Sequence, residues 1–227
     1  MAYGSLPDPH LFFPALFLGL LALFPDLGQI RGRPADGWSG HAPPGQPSRH
    51  ACALGHGRHL SSGHFLHHLL HLLEILEQLI ELLNRRGLNA NIEIKSNEAG
   101  GAMSMRLIDS ILDALTGLDP EREVFFSSFN HVLLAKIKER APQYEVGCLY
   151  ETCALYDDWK SMLELVGASY IHPEDRGLTR SKVEAFREAG FGVNVWTVNS
   201  IDRAHELFNW GATGVFTDVA DSFAHLQ

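Results

Sequence analysis

Residues 91–95 read Asn-Ile-Glu-Ile-Lys, with Ile92 and Ile94 alternating against Glu93 and Lys95. A period of two puts the isoleucines on one face of a strand and the two opposite charges on the other. Such a strand suits an exposed alternating ribbon or the inner mouth of a barrel, and the residues downstream decide between them. Further β-rich runs follow at 123–129 (EVFFSSF), 145–150 (EVGCLY), 168–173 (ASYIHP), 192–198 (GVNVWTV) and 213–218 (TGVFTD). Their starts are 32, 22, 23, 24 and 21 residues apart, the length of one strand plus one crossover helix.

The intervening stretches carry helix patterns with end signals. Leu107, Ile108, Ile111, Leu112 and Leu115 recur at helical spacing and close at Gly117; Asn130 stands as N-cap before residues 132–140, which Pro142 closes. Asp157 precedes 159–166, Thr179 precedes Val183 and Phe186 up to Gly190, and Ser200 precedes Ala204, Leu207 and Phe208 up to Gly211. Strand, helix, strand in this rhythm predicts a parallel α/β sheet. The expected C-terminal strand tips are polar: Glu93 and Lys95, Ser127 and Ser128, His172, Trp196 with Thr197 and Asn199, and Thr217 with Asp218. In parallel α/β folds that edge carries the site. No GxGxxG or GxxxxGK[ST] follows a strand, so the usual nucleotide signatures are missing, and a barrel is favoured over a doubly wound sheet.

Upstream of Glu74 the character changes. Residues 1–73 hold no Glu and no Lys, four Arg against three Asp, nine of the thirteen His and eight of the eleven Pro. Soluble domains rarely run so far without Glu or Lys. The chain is thus divided into an atypical Gly/Pro/His-rich segment, 1–73, and a regular domain, 74–227. A displaced reading frame in a GC-rich gene accounts for the first segment, as does a disordered tail with its own role. Within it, residues 11–24 (LFFPALFLGLLALF) form a 14-residue apolar run broken by Pro14 and Gly19. That is short of the ~20 residues needed to span a bilayer, and it lacks the basic start and cleavage site of a signal peptide. An apolar core segment is the expectation; export or membrane association through 11–24 is the alternative. His64, His67, His68 and His71 are spaced to share one helix face and could hold Zn or Ni. The same stretch runs on through Leu69 to Leu83 and stops at Arg85, Arg86 and Gly87, so a solvated histidine face on an amphipathic helix is the favoured reading.

The whole chain has 227 residues, 45% of them hydrophobic and 20% charged, with a formal charge of −9 and a pI near 5.8. This is enough for one sizeable core and excludes a disordered chain. It supplies no basic footprint, so a nucleic-acid partner is not expected. Cys52, Cys148 and Cys153 are odd in number and contain no CxxC, which fits neither a disulfide framework nor a zinc ribbon and points to the cytoplasm.

Taken in order, NIEIK at 91–95, SSF at 127–129, His172-Pro173, VWTVN at 195–199 and GVFTD at 214–218 resemble the C-terminal two thirds of a glycerophosphodiester phosphodiesterase. The resemblance implies a (β/α)8 TIM-barrel type fold of which the last six βα units are recognisable, with an irregular N-terminal segment. It implies a phosphoric diester hydrolase of lipid and glycerol metabolism. Its reaction is metal-assisted hydrolysis of a small-molecule glycerophosphodiester to glycerol 3-phosphate and an alcohol. The cofactor implied is a divalent cation, Mg or Ca. By the same resemblance Glu93 is a metal ligand, Lys95 reaches the phosphate, and Trp196 lines the glycerol pocket. The family's opening His-Arg-Gly strand, its Glu-x-Asp strand and its His-Asp pair should lie before Glu74, where there is no Glu at all. No catalytic residue of those motifs is retained, so a non-catalytic barrel fragment stands as the alternative function, followed by a His-rich metal-binding module.

The remaining polar residues have structural readings. His172 before Pro173 reads as a strand-end packing residue, and His131 after Asn130 as solvent-facing. Asp157 and Asp158 read as helix-start charges, and Cys148 and Cys153 as small buried groups.

Overall fold

The computed structural model describes residues 16–20, 62–96 and 100–223, with side chains described from Glu74 onward. In chain order the strands are β1 (Leu16–Leu20), β2 (Ala90–Ile94), β3 (Val124–Ser128), β4 (Glu145–Tyr150), β5 (Tyr170–Pro173), β6 (Gly192–Val195) and β7 (Gly214–Val215). The helices are α1 (Ser62–Arg86), α2 (Gly101–Ala114), α3 (His131–Arg140), α4 (Trp159–Val166), α5 (Arg180–Glu188) and α6 (Ile201–Asn209). All strand pairs are parallel, and the spatial order is the chain order, β1 to β7. A doubly wound sheet reverses its order at a switch point; this sheet never does, which is the winding of a TIM-type barrel.

The register sorts each strand's side chains into two faces. Ile92, Phe126, Val146, Cys148, Ile171, Val193 and Val195 share the outer face and are at most 1% exposed. They are covered by helix residues at i, i+3, i+4 and i+7 spacing, such as Leu76, Leu79, Ile80 and Leu83 of α1 and Leu133, Leu134 and Ile137 of α3. Each such side chain contributes about 1.5–3 kcal/mol when fully buried. The inner face carries Asn91 and Glu93, Phe125 and Ser127, Gly147, Tyr170 and His172, and Gly192 and Asn194. This face is concave. Phe129 at the tip of β3 meets Trp196 beyond β6 with ring centroids 5.5 Å apart, whereas a flat sheet would separate strands three positions apart by about 14 Å. The described sheet is therefore an arc of a barrel, α/β in class, as the βα rhythm predicts.

Two details depart from the sequence reading. The ladders end at Ile94, Ser128, Val195 and Val215, so Lys95, Phe129 and Asp218 sit just past the paired strands, while Trp196 follows β6 in an isolated parallel bridge to Glu174. In addition, β1 falls inside the 11–24 apolar run and pairs in parallel with β2, Gly19 opposite Glu93. A continuous apolar run has no period of two to reveal it as a strand. Among the described residues no helix is long and apolar enough to cross a membrane. His64, His67, His68 and His71 fall on the α1 backbone, but their side chains lie outside the described residues, as do Cys52 and the remainder of 1–61 apart from β1.

Candidate functional site

Glu93 and Lys95 leave β2 on its inner face at the C-terminal edge. The Glu93 side chain is 4% exposed and its Oε1 lies 3.0 Å from Lys95 Nζ, while the Lys95 side chain is 41% exposed. Oε1 makes no directed hydrogen bond, so the contact is an ion pair of suitable distance and unsuitable angle, leaving the carboxylate's lone pairs and the ammonium's protons available. The cross-strand partner of Glu93 is Ser127, fully buried with an unpartnered hydroxyl; Asn91, one layer deeper, has both side-chain amide atoms unpartnered. Buried polar atoms without partners are uncommon and costly, and these line one concave surface.

At the neighbouring tips, Ser128 Oγ donates to the Ile94 carbonyl at 2.5 Å, and Asn130 Nδ2 donates to Ser96 Oγ at 2.9 Å. The β2 tip is thereby tied to the β3 tip. Trp196, half-buried, donates its indole Nε1–H to the His172 carbonyl at 2.8 Å. This spends the ring's polar atom on the scaffold and leaves the ring beside Phe129.

His172 is fully buried on the inner face. Asn194 lies between Thr213 and His172, its Oδ1 2.9 Å from Thr213 Oγ1 and its Nδ2 3.3 Å from His172 Nε2, and His172 Nδ1 has no partner. Burial pushes its pKa down from 6.5 to about 3. A neutral, sequestered imidazole is a poor proton carrier, in keeping with the packing role read from the sequence. His131 differs from expectation: it is half-buried rather than facing solvent, its ring 4.6 Å from that of Tyr150 and its Nε2 3.0 Å from the Leu149 carbonyl. Desolvation lowers its pKa. Asp158, not Asp157, occupies the N-cap of α4, and its side chain makes no cap hydrogen bond. Cys148 is buried, its thiol pushed up to about 12 by desolvation, but Cys153 is exposed, contrary to the expectation that both are buried. It lies in the short turn after β4, which projects beyond the core.

The divalent cation implied by the resemblance asks more of these donors than they supply. Mg and Ca require six or more oxygens. Three other carboxylates at this edge are already committed. Glu174 accepts from the Thr152 N–H at 2.9 Å and pairs with Arg176 at 3.0 Å, the first of which chiefly holds its carboxyl below the usual range. Asp175 pairs with Arg203 at 2.8 Å, and Asp218 accepts from Asn199 Nδ2 at 3.0 Å. Among the described residues no group of three or more His, Cys, Asp or Glu is gathered to hold a metal. Glu93 by itself does not make a site for either ion.

A second feature opens beside this edge. A cavity of about 460 Å³ lies between the β3 and β4 tips and the start of α4, walled by Phe129, Tyr150 and Tyr156, with Glu151 and Asp158 on it. Sequence reasoning missed it. The available signal was aromatic residues directly following or ending two adjacent strands.

Comparison with known proteins accords with this geometry. The model of the glycerophosphoryl diester phosphodiesterase family matches residues 30–222. A glycerophosphodiester phosphodiesterase of Caldanaerobacter subterraneus subsp. tengcongensis is 29% identical over 146 residues, covering 64% of this chain and 58% of that protein. One from Bacillus subtilis is 32% identical over 152 residues, covering 63% and 51%. The chain thus spans between half and three fifths of the length of these curated relatives. Among solved structures, an Oleispira antarctica phosphodiesterase in complex with the product sn-glycerol-3-phosphate aligns with TM-score 0.58 at 25% identity, covering 63% of this chain and 56% of that one. A protein described as a putative glycerophosphoryl diester phosphodiesterase from Silicibacter pomeroyi aligns with TM-score 0.57 at 20% identity, covering 63% and 52%, and supports the fold.

Proposed function

The chain belongs to the glycerophosphoryl diester phosphodiesterase family, and from that premise we propose that its substrate is a glycerophosphodiester, hydrolysed to sn-glycerol 3-phosphate and an alcohol. The observation that carries this reading is the Glu93–Lys95 pair on the inner face of β2 with Trp196 at the same edge. Hydrolysis of a phosphodiester requires that its anionic oxygens be neutralised, that the attacking hydroxyl lose a proton and that the leaving alkoxide gain one. Lys95 serves the first need: its ammonium carries three donors, and the Glu93 carboxylate 3.0 Å away holds it at this edge by charge. Trp196 serves orientation: its ring, held by Phe129 and by the Nε1 hydrogen bond, would be the apolar wall for the C–H surface of glycerol. In this reading the divalent cation would take Glu93 as one ligand, with no step assigned to it by the described residues.

A second reading, binding without hydrolysis, is favoured by one observation. The described edge offers no acid–base pair, because His172 is sequestered and His131 is engaged with Leu149. One experiment separates the two. The full chain is incubated with glycerophosphocholine and Mg, Ca or Mn, released glycerol 3-phosphate is assayed, and binding of sn-glycerol 3-phosphate is titrated in parallel. Release of product is expected, with Lys95→Met weakening product binding about tenfold or more, the scale of one charge-assisted hydrogen bond. Binding without release in a folded preparation establishes the second reading. Loss of neither binding nor release in Lys95→Met overturns the role given to Lys95.

A further inference from the structure

Lys95 lies just past the point where the backbone ladders stop. Its strand pairs with β1 up to Ile94, opposite Leu20, and with β3 up to Glu93, opposite Ser127. Beyond a ladder the backbone loses the paired hydrogen bonds that resist local opening. At this tip two side chains take their place. Ser128, fully buried, donates its hydroxyl to the Ile94 carbonyl at 2.5 Å and accepts from the Asn130 N–H at 3.0 Å. Asn130 Nδ2 donates to Ser96 Oγ at 2.9 Å. The residues immediately before and after Lys95 are thus both held by the β3 tip.

The orientation of the Asn130 amide follows from its neighbours. Its Oδ1 accepts from the Val132 N–H at 3.2 Å as the N-cap of α3. A backbone N–H can only donate, so the amide oxygen faces the helix and the nitrogen faces Ser96. One side chain therefore joins the start of α3 to the residue after Lys95. The Ser128 hydroxyl is spent both as donor and as acceptor, and its rotation would take this donor from the carbonyl of Ile94, a residue 2% exposed. With the backbone held on both sides and the ammonium 3.0 Å from Glu93 Oε1, only side-chain torsions of Lys95 remain to be ordered when an anion binds. A free loop would lose backbone entropy as well.

We propose that Ser128, Asn130 and Ser96 form a positioning bracket for Lys95, presetting its ammonium for a phosphate oxygen at this edge. The three act through Lys95 rather than by touching the substrate. The phosphate target rests on the glycerophosphodiester reading; the stiffness that the bracket gives the free chain does not.

The test cuts one bond of the bracket from opposite ends. Ser96→Ala removes the acceptor at an exposed position, and Asn130→Ser removes the donor while keeping a good N-cap residue for α3. Ser96→Thr keeps the hydroxyl and serves as the conservative variant. Circular dichroism and urea unfolding check that each full-length variant is folded. In the free chain, amide relaxation at Lys95 and Ser96 is expected to show a rigid backbone, with order parameters of about 0.85, falling toward about 0.6 in Ser96→Ala and Asn130→Ser. Binding of sn-glycerol 3-phosphate, measured by calorimetry, should weaken about three- to tenfold in either variant, the scale of one hydrogen bond. The double variant should bind no worse than either single one, because both remove the same bond, and Ser96→Thr should bind as the unsubstituted chain does. Unchanged order parameters in both variants overturn the bracket, and so does an additive loss in the double variant. Loss of order without loss of binding overturns its link to the phosphate. If the unsubstituted chain binds no sn-glycerol 3-phosphate, the glycerophosphodiester reading fails, and the order parameters still decide whether the bracket holds Lys95.

Discussion

His172 sits on the inner face with its imidazole against Gly147, edge-on to Phe125 at 5.9 Å and to Phe216 at 5.0 Å. Its proton affinity is set by that enclosure: desolvation holds the pKa at about 3 in the folded chain against 6.5 when exposed. Below pH 6.5 the unfolded state therefore binds a proton that the folded state refuses. The stability contributed by the neutral imidazole is complete above pH 6.5 and is lost progressively as the pH falls toward 3. Between pH 7 and pH 5 this amounts to about 2 kcal/mol, a large share of the 5–15 kcal/mol typical of a domain. His131 is shifted in the same direction and adds to the slope. Urea unfolding at pH 7, 6 and 5 is expected to show stability falling with acid, and the His172→Phe variant a clearly flatter profile. Parallel profiles for the two proteins would exclude His172 as the source.

At the scale of elements, what was legible in the sequence is what has a local signal. Asn130 caps α3 as read, its Oδ1 accepting from the Val132 N–H at 3.2 Å, and Ser200 caps α6 through the Arg203 N–H at 3.4 Å. Thr179 occupies the N-cap of α5 without a side-chain cap bond; its hydroxyl lies instead 3.1 Å from Ser181 Oγ. The Glu93–Lys95 pair was legible because a period of two is written into five residues. The aromatic cavity was not, because Phe129, Tyr150 and Tyr156 come together only through the turn after β4, which has no period. The inner face was only partly legible, since its rule joins different strands: a large residue on one lies over a glycine on the next. A Cβ at Gly147 would enter the His172 imidazole, one at Gly192 the Tyr170 ring, and one at Gly214 would stand 2.8 Å from Asn194 Oδ1. Gly147→Ala is therefore expected to destabilise the chain by about 1–3 kcal/mol, the usual cost of overpacking, measured by thermal or denaturant unfolding. In a double-mutant cycle His172→Ser should recover much of that loss. Strict additivity of the two substitutions would mean that the methyl is accommodated elsewhere.

For the molecule as a whole, strictly sequential strand order means that every strand's neighbours in space are its neighbours along the chain. Protection against opening then depends on position in the arc. The paired residues of β3, β4 and β5 are flanked by a strand on each side, and Phe126, Val146, Cys148 and Ile171 are at most 1% exposed. The sheet thins toward its far end: β7 is two half-buried residues, Gly214 and Val215, and its ladder partner among the described residues is β6. What holds that end is the Phe216 N–H on the Val195 carbonyl, the Val198 N–H on the Phe216 carbonyl, both at 2.8 Å, and the burial of Phe223 at 5% exposure. Local opening free energies range from near zero to the global value within one domain, following buried contact and paired backbone. Native-state hydrogen exchange is therefore expected to place the amides of Phe126, Cys148 and Ile171 in the set that exchanges only by global unfolding. Those of Val215 and Phe216 should exchange through a smaller, sub-global opening with a shallower denaturant dependence. Phe223→Ala should lower protection at Val215 and Phe216 while leaving Cys148 nearly unchanged, because Phe223 is buried in the short helical turn that follows β7 in the chain. If the substitution lowers protection equally in β4 and β7, the arc opens as one cooperative unit and its far end is as integral to the fold as its centre.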